Sequence, residues 1–215
     1  MQYKHILFDL DGTLTDSHDG IVHGMQYAMA QLGHVAPEAS ELSWCIGPPL
    51  EANFAKLLPG SDVQIIQQAV DHYHDYYDET GRFENALYPE VETVLKTCQQ
   101  QGSTLYIATS KYEAHAQLIL QHFHLAHYFE GIHGATNDGT RSAKVDVIAK
   151  VLASHPIDCT SAVMIGDHNV DVLGGKHFGM DTIAVTYGYG TDAELTMVQP
   201  DVICDRPIDL LKHIT

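Results

Sequence analysis

Short apolar runs alternate with stretches of helical periodicity along most of this chain, and the alternation breaks once, near the start. The periodicity predicts strands over 4–9, 104–109, 162–166, 181–186 and 201–204, each short, apolar and rich in β-branched or aromatic residues. Between them Val91, Val94, Leu95 and Cys98 mark a helix stopped by Gly102. Ala116, Ile119, Leu120 and Phe123 share one face of a second helix starting at about Lys111. A third helix carries Val145, Ile148, Val151 and Leu152. Strand-helix alternation of this kind requires a parallel sheet covered by helices on both faces, because a parallel connection must cross over.

The interruption covers residues 16–84, which contain no good strand. Ile21, Val22, Met25, Ala28, Met29 and Leu32 form an amphipathic helix opened by Asp16-Ser17 and closed by Gly33. Pro48-Pro49 opens a second, bearing Leu50, Phe54, Leu57 and Leu58, and Pro59-Gly60 ends it. Ser61 is expected to cap a third, with Val63, Ile66, Val70, Tyr73 and Tyr77 on one stripe. The expected organisation is an α/β core from 1–15 and 85–215 with an all-helical insertion over 16–84.

The chemistry gathers where strands end. The first strand runs out through Phe8-Asp9-Leu10-Asp11-Gly12-Thr13-Leu14-Thr15. Residues two apart in extended chain face the same way, so Asp9 and Asp11 present both carboxylates to one side, and Gly12 permits the turn that exposes them. Open parallel sheets bind ligands at that end. A later strand enters Ile165-Gly166-Asp167-His168-Asn169-Val170-Asp171, where helical turning after Asp167 would bring Asp171 onto the same face. Each like-charged pair at about 4 Å costs about 4 kcal/mol at an effective dielectric of 20. A divalent cation removes that cost, and carboxylate oxygens without a nearby Cys favour Mg2+ over zinc. Ile107-Ala108-Thr109-Ser110-Lys111 is expected to place hydroxyls and free N–H groups at a helix start, a cradle for an anion. Thr140-Arg141-Ser142-Ala143-Lys144 precedes the next helix, so Lys144 could reach the same edge.

Of 215 residues, 11 are Lys or Arg against 28 Asp or Glu, a formal charge of −17. That balance disfavours a nucleic-acid or anionic-membrane partner, and leaves local positive charge at an anion site to a bound cation or a few placed lysines. Cys45, Cys98, Cys159 and Cys204 contain no C-x-x-C pair and read as reduced thiols. Met1-Gln2-Tyr3-Lys4 runs directly into Ile6-Leu7-Phe8 without a leader, and no apolar run is long enough to span a bilayer, so a cytoplasmic location is expected. His72-x-His74 and His122-x-His124-x-x-His127 have no acidic or Cys partners at ligand spacing and are read as non-metal histidines.

Asp9-x-Asp11-Gly12-Thr13-Leu14, Thr109-Ser110, Lys144 and Gly166-Asp167-x-x-x-Asp171 together resemble the four ordered motifs of the haloacid dehalogenase-like (HAD) hydrolase superfamily. Tyr88-Pro89 and Tyr187-Gly188-Tyr189-Gly190 look most like its phosphoglycolate phosphatase-like branch, and the helical insertion resembles the C1-type cap. The resemblance implies a Rossmann-like doubly wound core and a phosphatase acting on a small phosphate monoester. Asp9 would be the nucleophile that becomes an aspartyl-phosphate, and Asp11 the general acid and base. The Asp9 carboxylate, the Asp11 main-chain carbonyl and Asp167 would hold Mg2+, with Asp171 orienting that shell. Thr109, Ser110, Lys144, Gly12 and Thr13 would contact phosphate.

Two departures from the family pattern bear on these roles. His168 stands where related sequences often carry Arg, and Arg141-Ser142-Ala143-Lys144-Val145-Asp146 lacks the Lys-Pro-x-Pro common in sugar-phosphate mutases. Asp11 argues against a dehalogenase, which needs no leaving-group proton. Lys56, the one Lys between 16 and 84, reads as solvated rather than as a phosphonatase Schiff-base lysine. A β-phosphoglucomutase-like phosphotransferase uses the same Asp pair and stays open, as does a non-catalytic phosphate- or Mg2+-binding regulatory domain.

Overall fold

A computed structural model describes residues 3–136 and 140–214, so residues 1–2, 137–139 and 215 of the expected core lie outside the described residues. The chain divides into two compact units, Met1–Asp16 with Leu87–Thr215 and Ser17–Ala86.

The first unit is built on a six-stranded parallel sheet of β1 (His5–Phe8), β2 (Thr104–Tyr112), β3 (Phe129–Ala135), β4 (Ala162–Gly166), β5 (Asp181–Val185) and β6 (Val202–Cys204). Their order across the sheet is β3-β2-β1-β4-β5-β6. The central strand β1 pairs Leu7 with Tyr106 on one side and with Met164 on the other. Alternation along it sorts the core into two layers. Ile6 and Phe8 pack with Leu105, Ile107, Val163, Ile165, Ile183 and Val185 on one face, whereas Leu7 joins Tyr106, Ala108, Ala162 and Met164 on the other. Helices α4 (Val91–Gln100) and α5 (Glu113–His122) cover the first face, and α6 (Lys144–Ser154) covers the second. Burying one Leu- or Ile-sized side chain contributes about 1.5–3 kcal/mol, so both layers are needed to hold the sheet. The fold is thus α/β and doubly wound, as the alternation predicts.

Two features of this unit differ from the sequence reading. Strand β3 has no signature in the sequence: Phe129–Ala135 is broken by Gly131 and Gly134 and lacks alternation, and it forms because it pairs with β2 at the sheet edge. Strand β2 also runs three residues beyond its predicted end, to Tyr112. Its pairing with β3 jumps from Ala108↔His133 to Tyr112↔Ala135, so residues 109–111 bulge out of the ladder. The following helix begins at Glu113 rather than Lys111, and Thr109-Ser110 therefore lies in a bulge instead of at a helix start.

The second unit is helical, with α1 (His18–Gln31), α2 (Leu50–Leu57) and α3 (Val63–Glu79). Asp62, not Ser61, caps α3, its carboxylate accepting from the Ile65 N–H at 2.9 Å. Val63 at the first helical position is exposed, so the buried stripe starts later, with Val70, Tyr73 and Tyr77. The Tyr73 and Tyr77 rings stack at 5.2 Å, and the Tyr76 hydroxyl donates to Glu84 at 2.9 Å. Lys56 is exposed, with its ammonium 3.8 Å above the centre of the Trp44 ring.

Candidate active site

The carboxyl ends of β1, β2 and β4 converge on one cluster. Asp9 follows β1 directly, its N–H held by the Ile165 carbonyl at 2.9 Å. Asp167 follows β4. Asp171 lies in the first turn of α7 (Asn169–His177), and Lys144 is the first residue of α6. One carboxylate oxygen from each of Asp9, Asp167 and Asp171 falls within 4.8 Å of the others, and all three residues are buried. The Lys144 ammonium lies 2.8 Å from Asp9 Oδ1 and 2.8 Å from Asp171 Oδ1 and donates to the Ala108 carbonyl at 2.9 Å. The two carboxylate contacts are ion pairs, and neither Asp9 Oδ1 nor Asp171 Oδ1 has a hydrogen-bond partner.

Local geometry fixes the acids. Gly12 takes φ +81, in the left-handed region, and its N–H bonds the Thr15 carbonyl at 2.8 Å. A Cβ there would overlap the Asp167 carboxylate, so the turn needs glycine for both conformation and space. Thr13 is fully buried, and its hydroxyl lies 3.4 Å from Asp167 Oδ1. Both oxygens of Asp171 are engaged, Oδ1 by Lys144 and Oδ2 by the His168 N–H at 3.0 Å. His168 thus contributes a main-chain donor, which does not require the Arg common at this position.

Burial dominates the electrostatics. It pushes the Asp167 carboxyl up to about 7, with Asp171 and Asp9 adding to the rise and His168 opposing it. Burial also raises Asp171 against the pull of Lys144. Desolvation alone would depress the Lys144 ammonium, but Asp171 and Asp9 hold it above its ordinary value. Three buried carboxylates against one buried ammonium leave a site short of positive charge. An oxygen-ligated dication fits that donor set: the residues are hard, convergent and without thiolate.

Two contributors carried no assigned role in the sequence reading. Lys111 Nζ donates to Asp11 Oδ2 at 2.7 Å, with the two side chains 8% and 15% exposed, while Asp11 Oδ1 is buried without a hydrogen-bond partner. No local period points Lys111 at Asp11, because residues 109–111 lie in the bulge and the two residues meet only through the pairing of β1 with β2. The second is the loop 187–190. The Tyr189 N–H donates to Asp167 Oδ2 at 2.8 Å, and the Tyr187 hydroxyl donates to the Thr13 carbonyl at 3.0 Å. A Cβ on Gly188 or Gly190 would overlap Gly12 or Asp167 main-chain oxygen. Thr109 is buried, its hydroxyl accepting from the Lys111 N–H at 3.2 Å, and Ser110 is half-buried beside it in the bulge.

Residues 6–185 match the haloacid dehalogenase-like hydrolase family. The chain is 39% identical over 204 residues to a 5'-nucleotidase of Pseudomonas aeruginosa, covering 95% of this chain and 92% of that protein. It is 37% identical over 185 residues to the tyrosine-protein kinase PtkA of Mycobacterium tuberculosis, covering 86% of this chain and 62% of that one. A phosphoglycolate phosphatase of Aliivibrio fischeri is 28% identical over 210 residues, covering 94% and 92%. The crystal structure of a predicted phosphatase from Clostridium acetobutylicum superposes with a TM-score of 0.92 at 37% identity, covering 100% and 99%. The chain belongs to the haloacid dehalogenase-like hydrolase family and is one of its phosphatases. No helix among the described residues is long and apolar enough to cross a membrane.

Proposed function

We propose that the chain hydrolyses small phosphate monoesters with Mg2+ through an aspartyl-phosphate on Asp9, and that Ser17–Ala86 is its cap. The observation that carries this reading is the buried triad of Asp9, Asp167 and Asp171 with Lys144 set between two of its members.

Lys144 holds Asp9 Oδ1 and leaves Oδ2 as the oxygen that attacks phosphorus. The bond from phosphorus to the ester oxygen then breaks, and Asp11 gives the leaving alkoxide its proton. In the second half Asp11 takes a proton from water, the resulting hydroxide attacks phosphorus, and the Asp9 carboxylate leaves with its electron pair. Lys111 holds Asp11 in place between those two transfers. Thr109, Ser110, Gly12, Thr13 and Lys144 are the groups proposed to receive the non-transferred phosphoryl oxygens. Asp9, Asp167 and the Asp11 carbonyl would hold Mg2+, and Asp171, with both oxygens engaged, orients the set. When bound, the cation would neutralise charge on the phosphoryl group and the carboxylates.

The identity to a 5'-nucleotidase favours nucleoside 5'-monophosphates as the first substrate class, with phosphoglycolate as the second. The relative named a tyrosine-protein kinase supports a second reading, in which the same phosphoenzyme passes its phosphoryl group to an acceptor hydroxyl instead of water. Four free cysteines fit a reducing, cytoplasmic compartment. Phosphate release measured over nucleotide, sugar-phosphate and phosphoglycolate substrates tests the reading. The expected result is Mg2+-dependent turnover that falls on the order of 10³-fold or more in Asp9→Asn. Turnover unchanged in that variant would overturn it, and phosphorylated acceptor without free phosphate would favour transfer.

A further inference from the structure

On the α6 face of the sheet two imidazoles meet. His133 on β3 and His155, which follows the last residue of α6, bring their Nε2 atoms to 3.1 Å, with ring planes at 67°. They converge over Gly131, the residue two before His133 and so on the same side of the strand. A Cβ on Gly131 would stand 2.5 Å from His155 Nε2 and 2.8 Å from His133 Nε2. Any larger residue would fill the space these nitrogens share. Tyr106, paired with Gly131 across the ladder, packs its ring on His155 at 4.9 Å, and its hydroxyl lies 3.3 Å from His5 Nδ1. His155 is therefore held between Tyr106 and His133.

A hydrogen bond between neutral imidazoles gives this separation, and so does a shared cation. With metal–nitrogen bonds of about 2.0–2.1 Å in tetrahedral geometry, two imidazole nitrogens stand about 3.3 Å apart. Burial lowers His133 below its ordinary value, with Glu113 opposing and His155, Lys150 and Arg141 adding to the fall, which favours the neutral, ligating form of the ring. Imidazole selects zinc or copper over Mg2+. Among the described residues, the aspartate triad is the only group of three or more convergent ligating side chains, so water or a small anion would complete the coordination of an ion held by these two imidazoles.

We infer that His133 and His155 form a two-imidazole chelate for a transition dication such as Zn2+ or Cu2+, chemically separate from the oxygen-lined site and tying the end of α6 to β3. The inference does not depend on the phosphatase mechanism. The test titrates the full chain with Zn2+ and with Cu2+ in excess Mg2+. Imidazole 15N spectra should show the Nε2 resonances of His133 and His155 shifting at one equivalent of Zn2+, and Cu2+ should show coupling to two nitrogens in its paramagnetic resonance spectrum. His155→Ala and Gly131→Ala should each weaken Zn2+ binding at least about tenfold. His72→Ala and His124→Ala should leave it unchanged. Unmoved His133 and His155 resonances at Zn2+ saturation, or unchanged affinity in folded His155→Ala, would overturn the assignment. The wild-type spectra decide the matter even if a variant fails to fold.

Discussion

Lys144 is the residue on which the cluster turns. Its ammonium is buried and touches Asp9, Asp171 and the Ala108 carbonyl, so its removal strands two carboxylates in a desolvated site. Breaking a buried ion pair from one side costs about 3–5 kcal/mol. Lys144→Met should therefore lower Tm by roughly 10 °C, at about 2–4 °C per kcal/mol for a chain of this size, as well as abolish phosphate release. A thermal melt beside an activity assay separates the two effects. Lys111 makes a different prediction, because its partner Asp11 is nearer solvent. Lys111→Met should leave Tm within about 2 °C while kcat falls roughly 10- to 100-fold, with partial recovery in Lys111→Arg. An unchanged kcat would remove Lys111 from the proposed mechanism. The sequence offered both lysines at strand and helix ends but could not say which acid each would meet. Lys111 and Asp11 are 100 residues apart in sequence, and sheet pairing brings them together.

Elements that obey a local period were legible, whereas those made by their neighbours were not. β1 and β4 each read as an apolar run because both faces of the sheet are covered. β3 did not, since its two glycines and His133 satisfy no alternation and only pairing with β2 makes it a strand. The bulge at residues 109–111 escaped for the same reason. The loop after β5 carried a visible Tyr-Gly-Tyr-Gly signature whose purpose emerges only in three dimensions. Gly190 lies so close to the Asp167 carbonyl oxygen that a side chain would push the loop away, and the Tyr189 N–H bond to the Asp167 carboxylate would go with it. Gly190→Ala should weaken Mg2+ activation by about tenfold or more and lower Tm by several degrees. A Mg2+ titration of phosphate release checks it, and an unchanged half-saturation point would show the loop to be passive.

At the scale of the whole molecule, a formal charge of −17 coexists with a proposed anionic substrate. The site counters it locally, through Lys144 and Lys111 and through an acid cluster suited to a cation. The acid cluster sets a pH dependence. Burial raises Asp167 from its ordinary 3.8 to about 7 in the folded chain. An acid whose folded value is raised favours the fold below its unfolded value, and that contribution is lost as pH climbs through the folded value. Metal-free protein should therefore lose stability between about pH 4 and 7. Mg2+, binding only the folded chain, should raise Tm more at pH 8 than at pH 5. Melts with and without chelator across that range test this, and an equal Mg2+ effect at both values would contradict it.

The sequence by itself determined the α/β class, the parallel sheet with a helical interruption after the first strand, and the placing of acids where strands end. Those are consequences of periods of two and 3.6 and of glycine at turns, all of which operate over a few residues. Only the tertiary structure decided that Lys144 stands between Asp9 and Asp171, that Lys111 takes Asp11, that Tyr189 reaches Asp167, and that His133 meets His155 over Gly131. The physical reason is the same in each case. These partners come from separate strands, helices and loops, and the register of the ladder together with the seating of α6 and α7 fixes their separation, which no local pattern encodes.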